Sequence, residues 1–150
     1  MISKNGCGIL RELLIELQHD TKLFPEDSNE TVTVTAGGVA NTFSAWTELV
    51  DNNSVSFSSK IADQDGHISN ILLEAVSVTD KIYILELART EDHHRITRAR
   101  WIVNLANIGT SCAANVRSVK IPAGETVYYR LKCETGGATA EISLRYHTHE

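Results

Sequence analysis

Cysteine is scarce in this chain. The three present, Cys7, Cys112 and Cys133, are widely spaced, odd in number and form no Cys-x-x-Cys pair. That argues against a disulfide framework and against a zinc knuckle, and makes a reducing compartment the default. Long hydrophobic runs are missing: nothing approaches the roughly 18–20 consecutive apolar residues of a membrane span. The first residues do not read as a secretory leader, because Arg11, Glu12 and Glu16 interrupt the apolar stretch. The sequons Asn29-Glu30-Thr31 and Asn52-Asn53-Ser54 are therefore expected to stay unmodified. Signatures of nucleotide binding and nucleophilic catalysis are missing too: there is no Gly-x-Ser-x-Gly elbow, Walker loop or Gly-x-Gly-x-x-Gly. Positive charge is in the minority, with 14 Lys and Arg against 19 Asp and Glu and a net charge of -5. The surface as a whole should repel nucleic acid and anionic membrane. Arg95, Arg98 and Arg100 form the one candidate basic run, and strand alternation would disperse it.

What remains is an ordinary soluble composition, 42% apolar and 22% charged over 150 residues. That length suits one domain with a core that needs no cross-links. The segment Ile9 to His19 reads as a helix. Ile9, Leu10, Leu13, Leu14 and Leu17 make its apolar stripe, with Arg11, Glu12, Glu16 and Gln18 on the remaining surface. A lone helix of about 11 residues is unstable in water, so the stripe must dock on its own subunit or on another chain.

From Thr31 onward the period becomes two. Strands are expected over Thr31–Thr35, Thr42–Val50, Ser54–Ile61, Ile68–Val78, Lys81–Ala88, Arg95–Val103, Ala113–Lys120, Thr126–Glu134 and Thr139–His147, with turn residues between them. The last two form the clearest unit and read as a hairpin with one buried and one wet face. Val127, Tyr129, Leu131 and Cys133 share one face, as do Ala140, Ile142, Leu144 and Tyr146, across a Thr135-Gly136-Gly137-Ala138 turn. The expectation is an all-β protein, an antiparallel β-sandwich of jelly-roll type with a short N-terminal α-helix. Residues 1–30 form the helical arm and linker, and 31–150 the sandwich. Ile82-Tyr83-Ile84-Leu85 is apolar on both faces, as in a central or interface strand.

Several constellations invite chemistry. His147 and His149 lie two apart on a strand and share a face, as in the His-x-His pair of a cupin. The alternation, however, puts His147 on the wet side beside Arg145, and the cupin's later glutamate has no room. A metal-dependent cupin-like enzyme using these two histidines is an alternative, and no metal or other cofactor is the main expectation. His93-His94 reads as an exposed turn, and His67 has no partner in the sequence. Asp63, Asp65 and Glu74 have calcium-loop offsets, but Ile68 stands where glycine is needed. Cys112, in a Gly-Thr-Ser-Cys loop, has no histidine beside it to activate it. Trp46, Trp101, Tyr83, Tyr128 and Tyr129 could build a sugar platform, yet of these only Tyr128 is expected on a wet face.

The stretch Ile121-Pro122-Ala123-Gly124-Glu125-Thr126-Val127-Tyr128-Tyr129-Arg130-Leu131-Lys132-Cys133-Glu134, together with Ser143-Leu144-Arg145-Tyr146-His147, resembles the C-terminal half of small jelly-roll virion proteins of tailed bacteriophages. His67-Ile68-Ser69 and Lys81-Ile82-Tyr83-Ile84-Leu85-Glu86-Leu87 fit the same pattern, so the resemblance spans roughly residues 31–150. It implies a non-enzymatic protein that decorates or cements the phage head, made in the host cytoplasm and residing in the virion. Its implied partners are its own copies, with a trimer favoured, and the major capsid protein or another virion protein. No active-site residue comes with the resemblance. The stripe Ile9, Leu10, Leu13, Leu14 and Leu17 is the expected oligomer seam or docking arm. A receptor- or glycan-binding module of a phage particle is the other non-enzymatic reading.

Overall fold

The computed structural model describes residues 21–90, 93–104 and 107–149, with backbone alone for 107–111. The expected helix with its stripe Ile9, Leu10, Leu13, Leu14 and Leu17 lies outside these residues, as does Cys7. The described elements are β1 (Lys22–Phe24), β2 (Val32–Thr35), β3 (Thr47–Glu48), α1 (Phe57–Lys60), β4 (Asp65–Val76), β5 (Lys81–Arg89), β6 (His94–Val103), β7 (Asn107–Asn115), β8 (Val127–Cys133) and β9 (Thr139–His149).

Two antiparallel sheets form a sandwich. The first runs β1-β9-β4-β7, with β2 also pairing β9; the second runs β3-β8-β5-β6. β1 and β2 follow one another along the same strand, opposite Tyr146 to Leu144 and Ile142 to Thr139 of β9. Counting them as one interrupted strand, successive strands are dealt between the sheets in an order compatible with a jelly roll. The inner faces meet in one core. β8 alternates as expected, burying Val127, Tyr129, Leu131 and Cys133, and β9 buries Ala140, Ile142, Leu144 and Tyr146. The two do not form the expected hairpin: β8 lies in the second sheet and β9 in the first, so their apolar faces meet across the core and not side by side. In β4 the buried residues Ile68, Ile71, Leu73 and Val76 break strict alternation. Register shifts between Ile68 and Asn70 and between Leu73 and Ala75 restore the inward direction each time.

Four segments differ from the period-two reading. Ser54–Ile61 contains α1, not a strand. Phe57 and Ile61 are both buried and four apart, which fits either period. The local bonding decides: the Asp51 carboxylate accepts the N–H groups of Asn53 and Val55 at 2.8 and 2.9 Å, and the Ser59 hydroxyl donates to the Ser56 carbonyl at 2.7 Å. Thr42–Val50 pairs as a strand only at Thr47–Glu48. Asn41 has a φ of 60°, and the N–H groups of Asn41 and Ser44 go to the carbonyls of Cys133 and Leu131 in a crossing path. The seventh strand begins earlier than expected, at Asn107, and ends at Asn115. Residues 116–121 still follow β4 through Val116, Ser118 and Ile121, whose N–H groups bond Ser69, Ile68 and Gly66. β1 lies in what reads as linker within residues 1–30: Phe24 is buried and packs edge-on against Phe57, 5.5 Å between centroids.

The β8–β9 turn closes tightly on the loop after β2, where Gly137 donates to the Gly37 carbonyl at 2.8 Å. A Cβ on Gly136 would lie 2.9 Å from the Gly38 carbonyl carbon and closer to its oxygen, whereas one on Gly38 would meet nothing within 4 Å. Gly136→Ala is therefore expected to destabilise the protein by about 1–3 kcal/mol. Gly38→Ala is expected to stay within about 0.5 kcal/mol of the parent. Urea denaturation of the two variants checks the contrast.

Candidate functional site

Three histidines converge on the outer face of the first sheet. His67 of β4 stands directly opposite His147 of β9, and Asp65 stands opposite His149. Because residues two apart on a strand share a face, this register gathers all three imidazoles. The His67 and His147 rings are stacked at 5.4 Å and 11°. His149 presents its ring edge-on to them at 4.7 and 4.8 Å. One ring nitrogen from each lies within 4.8 Å of the other two, and all three residues are half-buried. His67 Nδ1 is buried without a hydrogen-bond partner among the described residues.

The surroundings are set by the chain beyond β7. The Gly66–Ile121 bridge lays residues 118–121 along the start of β4, placing the Lys120 ammonium 3.6 Å from the Asp65 carboxylate. The other Asp65 oxygen accepts the Ala123 N–H at 3.0 Å. Burial, and next the neighbouring His149, hold the His67 imidazole below its ordinary 6.5; Asp65 opposes the shift and Lys120 adds to it. The neutral ring is the form with a free lone pair. The sequence alone shows no partner for His67, since about eighty positions separate it from His147 and the β4–β9 register joins them. His147 lies on the outer face, as the alternation expects. The wet strand that carries it is central in its sheet, with β4 on one side and β1 and β2 on the other.

The outer face of the second sheet carries a different cluster. Glu86 of β5 is fully buried, opposite Arg98 of β6 and Arg130 of β8. Arg98 donates to its Oε2 at 2.6 and 2.9 Å and Arg95 at 3.1 Å, while Arg130 Nε donates to Oε1 at 2.8 Å. Burial alone would raise the Glu86 pKa, but the hydrogen bonds from Arg98, Arg130 and Arg95 outweigh it and the net direction is down. The expected dispersal of the arginines does not occur. A register shift between Leu87 and Ala88 sets Arg95 opposite Ala88 and Arg98 opposite Glu86, so Arg95, Arg98 and Arg100 share the outer face.

Aromatic residues extend this face. The Arg130 guanidinium lies over Phe43 at 4.2 Å and Trp46 at 4.5 Å. His93 stacks on Trp46 at 5.1 Å and meets Tyr128 edge-on at 5.0 Å. Tyr128 is thus on the wet face as expected, and Trp46 joins it, while Tyr83, Trp101 and Tyr129 are buried. His93 is half-buried in this stack and not simply an exposed turn. At the far end Ile102 is 63% exposed opposite Ile82, beside Ile84. β5 is central, as its two-sided apolar pattern implies.

The remaining sequence candidates come to little. Asp65 and Glu74 sit at opposite ends of β4, where Glu74 accepts the Ser143 hydroxyl at 2.8 Å, so no calcium loop forms around them. Cys112 is in β7, partly buried against the core. No described helix is long and apolar enough to cross a membrane.

No protein-family model and no curated protein sequence matches the chain. Among solved structures it is similar to a chain of the infectious bursal disease virus Gx strain structure, at 14% identity and a TM-score of 0.34. The match covers 87% of this chain and 30% of the viral one, so the chain spans about a third of that neighbour's length.

Proposed function

We propose that this is a non-enzymatic virion structural protein, a head decoration or cement-type protein that works as a homo-oligomer, a trimer by preference, against a major capsid protein or another virion protein. The observation that carries the reading is the outer face of the second sheet. It presents Trp46, Tyr128, Arg98 and Arg130, the residue types that dominate protein interfaces, with exposed Ile102 at the far end of the same face. The Glu86 network and the stacking on Trp46 hold these side chains in place before contact, which lowers the entropy cost of binding. The resemblance of residues 121–147 to small phage virion proteins points the same way. The expected helical stripe Ile9, Leu10, Leu13, Leu14 and Leu17 would supply a second surface for docking.

Ile102→Glu would place a carboxylate in the apolar end of the face. If that end is the subunit contact, self-association weakens roughly tenfold or more. Light scattering reads it directly: the parent should have a mass of several 16.5 kDa chains, and the variant should shift toward one. A parent mass of one chain at micromolar concentration removes the oligomeric cement reading.

A receptor- or glycan-binding module is the second reading, favoured by the Trp46, His93 and Tyr128 cluster beside Arg130. Under it, glycan-array binding appears and is lost in Trp46→Ala. A silent array speaks for the first reading.

A further inference from the structure

We propose that His67, His147 and His149 bind a divalent transition-metal ion of the zinc type on the outer face of the first sheet. The site stands apart from the proposed particle role and holds whether or not that role does.

The geometry is already most of the way to a ligand set. A tetrahedral ion bound at about 2.0–2.1 Å needs nitrogens about 3.3–3.4 Å apart. The three ring nitrogens lie within 4.8 Å of one another, so small side-chain rotations close the gap without moving backbone. The backbone is well placed to impose this spacing. His67 and His147 are cross-strand partners in the middle of a sheet, and β9 is bonded on both sides. His149 comes from the same strand, two residues on, so its Cα spacing to His147 is fixed by the extended chain.

The donor chemistry selects the ion. Three imidazoles suit zinc, nickel, cobalt or copper(II), and offer nothing to calcium or magnesium, which want oxygen ligands. Both Asp65 oxygens have other neighbours, the Ala123 N–H and the Lys120 ammonium, so the carboxylate supplies nearby negative charge and is not counted as a ligand. Lys120 and Arg145 are the cations that oppose the ion. Lys120 is offset by Asp65, and Arg145 is exposed, opposite Asn70 in the bulged part of β4. Three protein ligands leave one position for water. The ion would tie the last residues of β9 to the start of β4, and binding to the folded form alone would raise stability by mass action.

The test uses the full chain without an affinity tag, stripped with EDTA and kept reduced. Zinc chloride titration by calorimetry should give one ion per chain. His67→Gln, His147→Gln and His149→Gln, each folded by circular dichroism, should weaken binding tenfold or more. His94→Gln, a change to an exposed histidine, should leave it unaltered. Cobalt(II) should bind without a thiolate charge-transfer band. Should a variant fail to fold, zinc titration of the parent followed by NMR still decides, because the imidazole signals of His67, His147 and His149 should shift and that of His94 should not. Absence of saturable zinc binding overturns the proposal. So does parent-like affinity in His67→Gln, a thiolate band with cobalt, or three unshifted imidazoles.

Discussion

Glu86→Ala should lower the stability of the protein by about 2–4 kcal/mol, read from the midpoint of urea unfolding. The carboxylate is inaccessible to solvent yet lies on an outer sheet face, roofed by guanidinium groups and not by apolar core. Removing it takes away charge-assisted hydrogen bonds from Arg95, Arg98 and Arg130 at once and leaves three like charges close together. The arginines are partly exposed and can rehydrate, which keeps the loss below that of a pair sealed in a core. Glu86→Gln retains an acceptor and should lose less. The sign of the pH dependence follows from the lowered pKa. Above the ordinary value of 4.5 the unfolded and folded forms are both ionised and the full contribution is present. As pH falls below that value the unfolded carboxyl takes up a proton first, and stability declines until the folded carboxyl is protonated as well. Stability measured below pH 4.5 should therefore fall more steeply in the parent than in Glu86→Gln. The same substitution should weaken self-association, since Arg130 is held over Phe43 and Trp46 by its bond to Glu86.

Phe57→Ala should cost about 3–5 kcal/mol, the scale for deleting a fully buried aromatic ring. Phe57 comes from the short helix α1 and closes one end of the sandwich. It meets Phe24 of β1 at 5.5 Å and Tyr146 of β9 at 5.0 Å, both edge-on. Phe57 and Phe24 come from a four-residue helix and a three-residue strand, while Tyr146 is held by the central strand β9, so there is little nearby to collapse into the space. Phe57→Leu, which keeps most of the volume, should recover about half of the loss or more. Thermal unfolding followed by circular dichroism measures both.

Period-two patterning made the long strands legible. β5, β6, β8 and β9 sit where their alternation or their apolar runs put them, and the inward faces of β8 and β9 are the ones the sequence marks. Patterning failed where local bonding rules. Phe57 and Ile61 satisfy a strand and a helical turn equally, and the Asp51 and serine side chains select the turn. β1 is three residues long, too short to show a period, and owes its place to Phe24 burying against Phe57.

The candidate sites depend on register, which a single sequence does not carry. The bulge at Leu87 and Ala88 reverses the parity of β6, so Arg95, which strict alternation would set on the other face, ends on the same face as Arg98 and Arg100. The pairing of β4 with β9 brings His67 beside His147, although His-x-His alone was visible. One signal was available: His67 follows Asp65 at strand spacing in a segment that turns apolar directly afterwards, so an outward face for both could be read. What could not be read was which strand lay next to it.

Particle composition tests the central claim most directly. Particles assembled from the genome that encodes this chain, purified and analysed by quantitative mass spectrometry, should contain the intact chain in many copies per particle at a fixed ratio to the major capsid protein. Particles that lack the chain, with the protein recovered only in the soluble fraction, would contradict a structural role in the virion.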